Sequence, residues 1–512
     1  MSSPFKAKST ILVFAMAMGL LMAALDNTIV SACISSVIKD LSGFDSMSWV
    51  FTSYMLASTS TMLIFGKLSD ILGRKLFYLI GIAFFLIGSA LCGQAQSMAE
   101  LIGFRAVQGI GSGALFPISF SIIYAAFPDQ KQAAKLTGVF AGIFGISSVL
   151  GPQLGTFITS HFSWRWCFYV NVPFGIVSFL LLLFAVKESK ASKKPSIDYL
   201  GTLLLVFSTV SLMLGLTWGG KDYAWNSWQI LGLFALSLVG ICMFLMVEMK
   251  VKEPILPLAI YKNSVVSGIS ILSFIQGVVM FSAISYIPIF SVAVLGHKNS
   301  NSMLTPLMLS LLVGASLAGG LMFKLSYRTL LGGSSLIGAV AIYFLMTASH
   351  SASSLYMITV MIVMGVCSIG PLMSMSQMGI AQNVSEEYVG LSSSLGGFWR
   401  NIGAVVGTSI TATVVNNQFK AILQKNAAEA HIPADKVDSL ANPQLIMNAK
   451  DSLPAPWIHT LQDSLGTAIN HGYIVAFTFA VLAIFVSLAI KGKASPRTLE
   501  TKAATSSASL VD

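Results

Sequence analysis

Two charged residues set deep in apolar sequence are the groups in this chain best placed to do chemistry. Asp26 lies in Leu25-Asp26-Asn27-Thr28-Ile29-Val30, and Arg105 lies in a second apolar run that continues through Gln108, Gly109, Gly111 and Gly113. Ionisable groups inside a membrane helix are costly and mark function by default. A carboxylate there can take up and release a proton as burial and a nearby cation change in balance, so Asp26 is the expected proton carrier. Its late position in the run leaves a second reading, a hydrated group near the outer surface. A guanidinium stays charged and needs a partner when buried, which suits Arg105, with Gln108, to coupling. Arg400 lies in a third apolar run, where it either lines a path or snorkels to the inner face. Glu248 closes another run near that face.

Two further clusters are built for movement. Gly66-Lys-Leu-Ser-Asp70-Ile-Leu-Gly73-Arg74-Lys75 joins two apolar runs. Gly66 and Gly73 permit close approach and a tight turn. Asp70 can pair with a base or sit at a helix N-terminus, and Lys67, Arg74 and Lys75 mark a cytoplasmic face. In Gly145-Ile-Ser-Ser-Val-Leu-Gly151-Pro152-Gln-Leu-Gly155, the proline removes a backbone donor and the glycines admit a neighbouring helix, as a seal or hinge requires. No HExxH set or phosphate-binding loop of the GxxxxGK[ST] kind occurs. The five cysteines stand singly without metal-ligand spacing and are expected to be buried small hydrophobes. These absences argue against an enzyme, a metal and ATP as the energy source.

The elements that must position these residues follow from composition. The chain is 55% hydrophobic and only 10% charged, against roughly a quarter charged in soluble domains, so it is read as an all-α polytopic membrane protein. A crossing needs about 20 apolar residues. The expected spans are 9–32, 47–66, 76–95, 99–126, 136–159, 166–186, 198–218, 229–248, 265–291, 302–323, 329–348, 354–379, 393–415 and 472–490. With a cytoplasmic N-terminus, Lys and Arg favour the inner segments over the short outer loops by about five to one. Both termini are therefore expected inside a cell (inner) membrane, and the net charge of +10 reports topology rather than nucleic-acid binding. The expected organisation is a six-helix bundle over 1–190, an inserted helix pair with its linkers over 191–262, a second six-helix bundle over 263–492 and a disordered tail over 493–512. The second bundle carries a long outer loop, 417–470, expected to form a small cap or hairpin. Such halves enclose a central path.

Together these clusters resemble the fourteen-span drug:proton antiporters of the major facilitator superfamily, the EmrB/QacA type. The likeness covers nearly the whole chain: Leu25–Val30, Gly66–Lys75, the R-x-x-Q-G-x-G run from Arg105, Gly145–Gly155, and Trp164-Arg-Trp-Cys-Phe-Tyr-Val-Asn171-Val-Pro173-Phe-Gly175. Ser31-Ala-Cys33 and Thr156 depart from the usual first-helix and antiporter patterns. The resemblance implies a major facilitator fold and alternating access. It assigns proton coupling to Asp26, Arg105 and Gln108, a cytoplasmic gate to Gly66, Asp70, Gly73, Arg74 and Lys75, and the antiporter helix to Gly145, Gly151, Pro152 and Gly155.

Met, aromatic and amide side chains suit a pocket for varied amphiphiles. Expected lining residues are Trp49, Tyr54, Phe116, Phe274, Gln276, Phe281, Tyr286, Met373, Gln377, Trp399 and Arg400, each of which also suits plain packing or lipid contact. The expected partners are small amphiphiles, protons and the bilayer, with a periplasmic adaptor where the cell has two membranes. No cofactor is expected beyond the proton gradient. The main alternatives are an exporter of one metabolite, lipid or siderophore, a proton-independent facilitator, and a sensor or assembly subunit.

Overall fold

A computed structural model describes the chain except residues 1–2, 42–45, 128–129, 186–196, 297–300, 349–351, 428–430, 434–436, 438–439, 441–453 and 493–512. The expected cytoplasmic linker 187–194, the expected tail 493–512 and most of the tip of the long outer loop lie outside the described residues. What is described is helical. The helices are α1 (Ser3–Leu41), α2 (Met47–Leu72), α3 (Arg74–Gln94), α4 (Met98–Ala126), α5 (Gln130–His161), α6 (Trp166–Tyr169), α7 (Asn171–Ala185), α8 (Tyr199–Trp218) and α9 (Trp228–Glu248). They continue as α10 (Ser264–Ile289), α11 (Asn301–Leu321), α12 (Tyr327–Met346), α13 (Ser354–Met364), α14 (Gly370–Gln382), α15 (Val389–Asn426) and α16 (Ala455–Ala489). Among the described residues, eleven helices are long and apolar enough to cross a membrane. α2 and α15 are not among them, although both are long. They lie against each other across the molecule and carry the serines, glycines and charges that such close packing uses.

Helices α1 to α7 pack on one another, as do α10 to α16. α8 and α9 pair together, and α8 touches both α2 and α15. The α8–α9 turn is fastened to both sides: Lys221 Nζ donates to Ser48 Oγ at 3.0 Å and Trp225 Nε1 to Thr413 Oγ1 at 3.2 Å. α9 turns its apolar side chains outward, with Trp228 80% and Leu238 64% exposed. That is the inverse of a water-soluble fold, and it suits a lipid solvent.

Three helical elements differ from the apolar runs. α15 continues to Asn426 and α16 begins at Ala455, so both flanks of the expected loop 417–470 are helix. Phe419, Leu423, Leu461 and Leu465 are buried there. Gln462 Nε2 donates to Ala293 O at 2.7 Å, at a π-turn spanning Phe290–Val294. Hydropathy marks only the lipid-facing length, whereas backbone hydrogen bonding carries a helix beyond it. The expected span 354–379 is one continuous helical stretch, Ser354–Gln382, with a second π-turn, Gly365–Ile369, inside it between α13 and α14.

Close helix crossings rely on small residues. A Cβ on Gly111 of α4 would sit 2.4 Å from Phe85 N of α3, whereas one on Gly103 would meet nothing within 4 Å. Gly111→Leu should therefore lower the melting temperature of the solubilised protein by several degrees, an overpacking cost of about 1–3 kcal/mol. Gly103→Leu should leave melting unchanged, and equal melting of the two variants would contradict this packing.

Candidate functional site

Asp26 and Arg105 meet in the core of the first helical group. Both side chains are fully buried, and Arg105 Nη1 lies 2.6 Å from Asp26 Oδ2. The hydrated-surface reading of Asp26 is thus corrected. α1 runs on to Leu41, so a residue late in the apolar run is mid-helix. Gln108 Nε2 donates to Asp26 Oδ1 at 2.8 Å and Asn171 Nδ2 to the same oxygen at 3.0 Å. Gln108 Oε1 accepts from Arg105 Nη1 at 2.7 Å. Arg105 Nε donates to the Val50 carbonyl of α2 at 3.1 Å, and the guanidinium lies over the Tyr54 ring, 4.1 Å from its centroid. Asn171 also donates to Ser89 Oγ at 3.2 Å, and that hydroxyl donates to Phe168 O. One carboxylate therefore ties together α1, α4 and α7 directly, and α2 and α3 through one further residue. Asn171 and Ser89 were not singled out for this role by sequence reasoning. Only the spacing Trp164 to Gly175 pointed to Asn171.

Oδ1 receives two N–H donors and Oδ2 receives the guanidinium. Protonation would take away the negative charge that Arg105 faces at 2.6 Å and leave the guanidinium without its counter-charge. Removing one partner of a buried pair costs about 3–5 kcal/mol.

A second assembly closes one end of the molecule, at the turn between α2 and α3. Gly73 there has φ 117°, a conformation glycine adopts without strain. Asp70 receives the backbone N–H groups of Gly390 at Oδ1 and Leu391 at Oδ2, both at 2.9 Å. A carboxylate of the first group thus caps the N-terminus of α15 in the second, where free N–H groups and the helix dipole favour an anion. Arg74 pairs with Asp70 at 3.0 Å and reaches Ser121 O, and Lys75 Nζ donates to Leu183 O at 2.8 Å. Gly66 lies against Gly390 and Ser394 so closely that a Cβ would sit 1.9 Å from Ser394 Oγ. Further along the same seam, Asn401 Nδ2 donates to Thr59 Oγ1 at 3.1 Å.

α5 seats against both groups. Gly151 and Gly155 face Thr28, Ile29 and Ala32 of α1, while Gly145 faces Met308 of α11. The Thr28 hydroxyl lies 3.1 Å from Ser147 O, in the turn preceding Pro152.

The expected lining residues divide by location. Tyr54 covers Arg105 and donates to Ser112 Oγ at 2.6 Å. Phe116 faces Arg400 across the seam, with the guanidinium 5.5 Å from its ring centroid. Arg400 therefore lies along the path between the groups and does not snorkel. Trp49 packs edge-on to Trp218 of α8. Phe274 meets Phe479 of α16, and Trp399 donates to the Tyr261 hydroxyl in the 3-10 turn Leu258–Lys262. Gln276 donates to Ile369 O at 3.1 Å. Phe281 is half-buried and Tyr286 buried in the core of the second group. Met373 and Gln377 are buried on α14. Glu248 accepts from Leu256 N at 3.1 Å and holds the chain after α9 against that helix. No group of three or more His, Cys, Asp or Glu able to hold a metal occurs among the described residues.

Asp70→Asn keeps the shape but removes the charge at the α15 terminus. It should weaken the closed end by roughly 1.5–3 kcal/mol, the range for a hydrogen bond to a charged group. Disulfide cross-linking of a Thr59→Cys/Asn401→Cys pair should then fall in yield. An unchanged yield would mean that Asp70 does not hold this end shut.

Comparison with known proteins agrees with this architecture. Residues 16–408 match the Major Facilitator Superfamily. The chain is 37% identical to Multidrug resistance protein 3 of Bacillus subtilis (strain 168) over 96% of this chain and 97% of that protein. It is 34% identical to the Multidrug transporter protein MdtP of the same organism, over 94% and 93%. Among solved structures, the proton:xylose symporter XylE aligns over 98% of this chain and 99% of its own, with a TM-score of 0.59 at 14% identity. A bacterial homologue of the human lysosomal transporter Spinster, inward-facing and unoccupied, aligns over 97% and 100% with a TM-score of 0.55 at 16% identity. The chain is a multi-pass membrane transporter and not an enzyme, and it belongs to the Major Facilitator Superfamily.

Proposed function

We propose that this protein exports amphiphilic small molecules, drugs among them, in exchange for protons. In this reading it sits in the cell membrane with both termini cytoplasmic, and the end sealed by Asp70 and α15 is the cytoplasmic one. The multidrug names of its Bacillus relatives support export. The observation that carries proton exchange is the buried Asp26, whose protonation would leave the buried Arg105 without its counter-charge.

The mechanism follows from what each element touches. A proton reaching Asp26 frees Arg105, which also holds the Val50 carbonyl of α2. α2 carries Asp70 at its far end, and Asp70 holds α15. α1 carries Asp26 and, two residues on, the Thr28 contact to α5. α2 and α5, two of the helices that join the groups, are thereby mechanically attached to the carboxylate. Proton and substrate act on each other only through their different affinities for the two conformations.

Everted vesicles with an imposed pH gradient and an amphiphile panel test this reading. Wild type should release protons on substrate addition, and Asp26→Asn should lose that release while still binding substrate. Proton release unchanged in the variant would remove Asp26 as the carrier. Substrate movement insensitive to an uncoupler would replace exchange by facilitated diffusion.

A further inference from the structure

Arg400 is a cation between the two helical groups with no counter-charge among the described residues. The ion pairs among the described residues are Arg74–Asp70, Arg105–Asp26 and Arg165–Asp40. Arg400 belongs to none of them, and its buried Nη1 has no hydrogen-bond partner. Its one aromatic contact, Phe116 of α4, lies on the opposite group.

A second unpartnered side chain lies on α14. Gln377 is 2% exposed, yet neither its Nε2 nor its Oε1 has a partner. Helix geometry gives its direction. On α14, Gly370 abuts Leu311 and Ala315 of α11, and Ser376 abuts Gly396 of α15. At about 100° per residue, positions 373 and 377 point between those two directions. α5 packs on α14, which makes that side the seam between the groups. On α15, Gly397 faces Met62 of α2 and Gly396 faces α14. Position 400 points between them, toward α4 and on the α14 side. Arg400, Gln377, Met373 and Phe116 thus border one region from both helical groups.

Burying an unmatched amide, or a guanidinium without its anion, is costly. Elsewhere the same fold gives its buried Arg105 a carboxylate, an amide and a carbonyl, with Nη2 alone left over. We propose that Arg400 and Gln377 form a subsite for the anionic head, carboxylate or sulfonate, of an amphiphile whose apolar body lies on Phe116 and Met373. The guanidinium offers paired N–H donors in the geometry such heads accept, and the amide supplies one further donor and an acceptor. The inference rests on the export reading for its transport consequence, but not for binding.

Two fluorescent probes with the same aromatic body separate the possibilities: 1-anilinonaphthalene-8-sulfonate, an anion, and N-phenyl-1-naphthylamine, its neutral counterpart. Binding is titrated on the full chain in lipid nanodiscs, with protein-free nanodiscs as background. Wild type should prefer the sulfonate. Arg400→Gln should weaken sulfonate binding about tenfold or more with little change for the neutral probe. Arg400→Lys should keep part of the preference, and Gln377→Leu should lower it. Equal loss of both probes in Arg400→Gln, or no preference in wild type, would overturn the subsite. Proteoliposomes under a pH gradient then test the other reading separately. An Arg400-dependent sulfonate preference with neither probe transported would keep the subsite and remove proton-driven export. Gradient-driven transport of the neutral probe without any sulfonate preference would do the reverse.

Discussion

The structure depends on one ion pair that cannot be taken apart cheaply. Asp26 and Arg105 lie 2.6 Å apart with no exposure to solvent. Each ion alone would carry a desolvation penalty of several kcal/mol. The surrounding helices meet this by aiming their polar groups at the pair: an amide from α4, an amide from α7 and a carbonyl from α2. A packed apolar pair would stabilise a helical bundle about as well. Stability alone is therefore a weak reason for the pair, and the proposed exchange supplies another, a change in its charge state.

That change has short routes outward. α1 is rigid between Asp26 and the residues that receive Gly151 and Gly155 of α5. α2 is rigid between the Val50 carbonyl and Asp70. α5 leans on α11 of the second group, and α2, with α4, leans on α15. The glycines and the capping carboxylate act together at these contacts. Contacts without side chains allow backbones to meet closely, and the charge at the α15 terminus gives the closed seam an energy that separation would forfeit. On the proposed reading, a seam built from backbone contact and one capped helix end would exchange a packed arrangement for a separated one, as a switching element requires.

Much of this was legible in the chain because charge in lipid is rare. Asp26, Arg105 and Arg400 stand out against apolar neighbours, and Asp70 stands out because two glycines and three bases surround it. Asn171 and Ser89 did not stand out, since amides and hydroxyls are tolerated in any helix. Only three-dimensional packing decides whether they reach a carboxylate. The Val50 carbonyl is invisible in principle, because every residue has one. The ends of α15 and α16 were misplaced for a related reason. Apolar length measures the lipid-facing stretch, and Phe419, Leu423, Leu461 and Leu465 instead pack on protein. For Arg400, sequence left two directions open, and the Phe116 contact chose between them.

The two helical groups differ in how they treat polar atoms. The first sets its buried arginine against a carboxylate, leaving Arg105 Nη2 unpartnered, whereas the second has no carboxylate among the described residues for Arg400 and leaves its Nη1 and both ends of Gln377 unmatched. On the proposed assignments, the proton is carried in one group and the substrate head is held in the other. The two then do not compete for one carboxylate, and their exchange runs through the seam. The electrical balance follows. Moving an anion outward and a proton inward displaces two charges in the same electrical sense. Each is worth about 2.3 kcal/mol per 100 mV of membrane potential. An exporter of anions is thus driven by the potential on both legs, and a single titrating carboxylate suffices. An exporter of dications would need more exchanged protons to reach the same drive. On this reading, the ion-paired carboxylate Asp26 of the first group and the cation Arg400 at the seam are parts of one energetic arrangement.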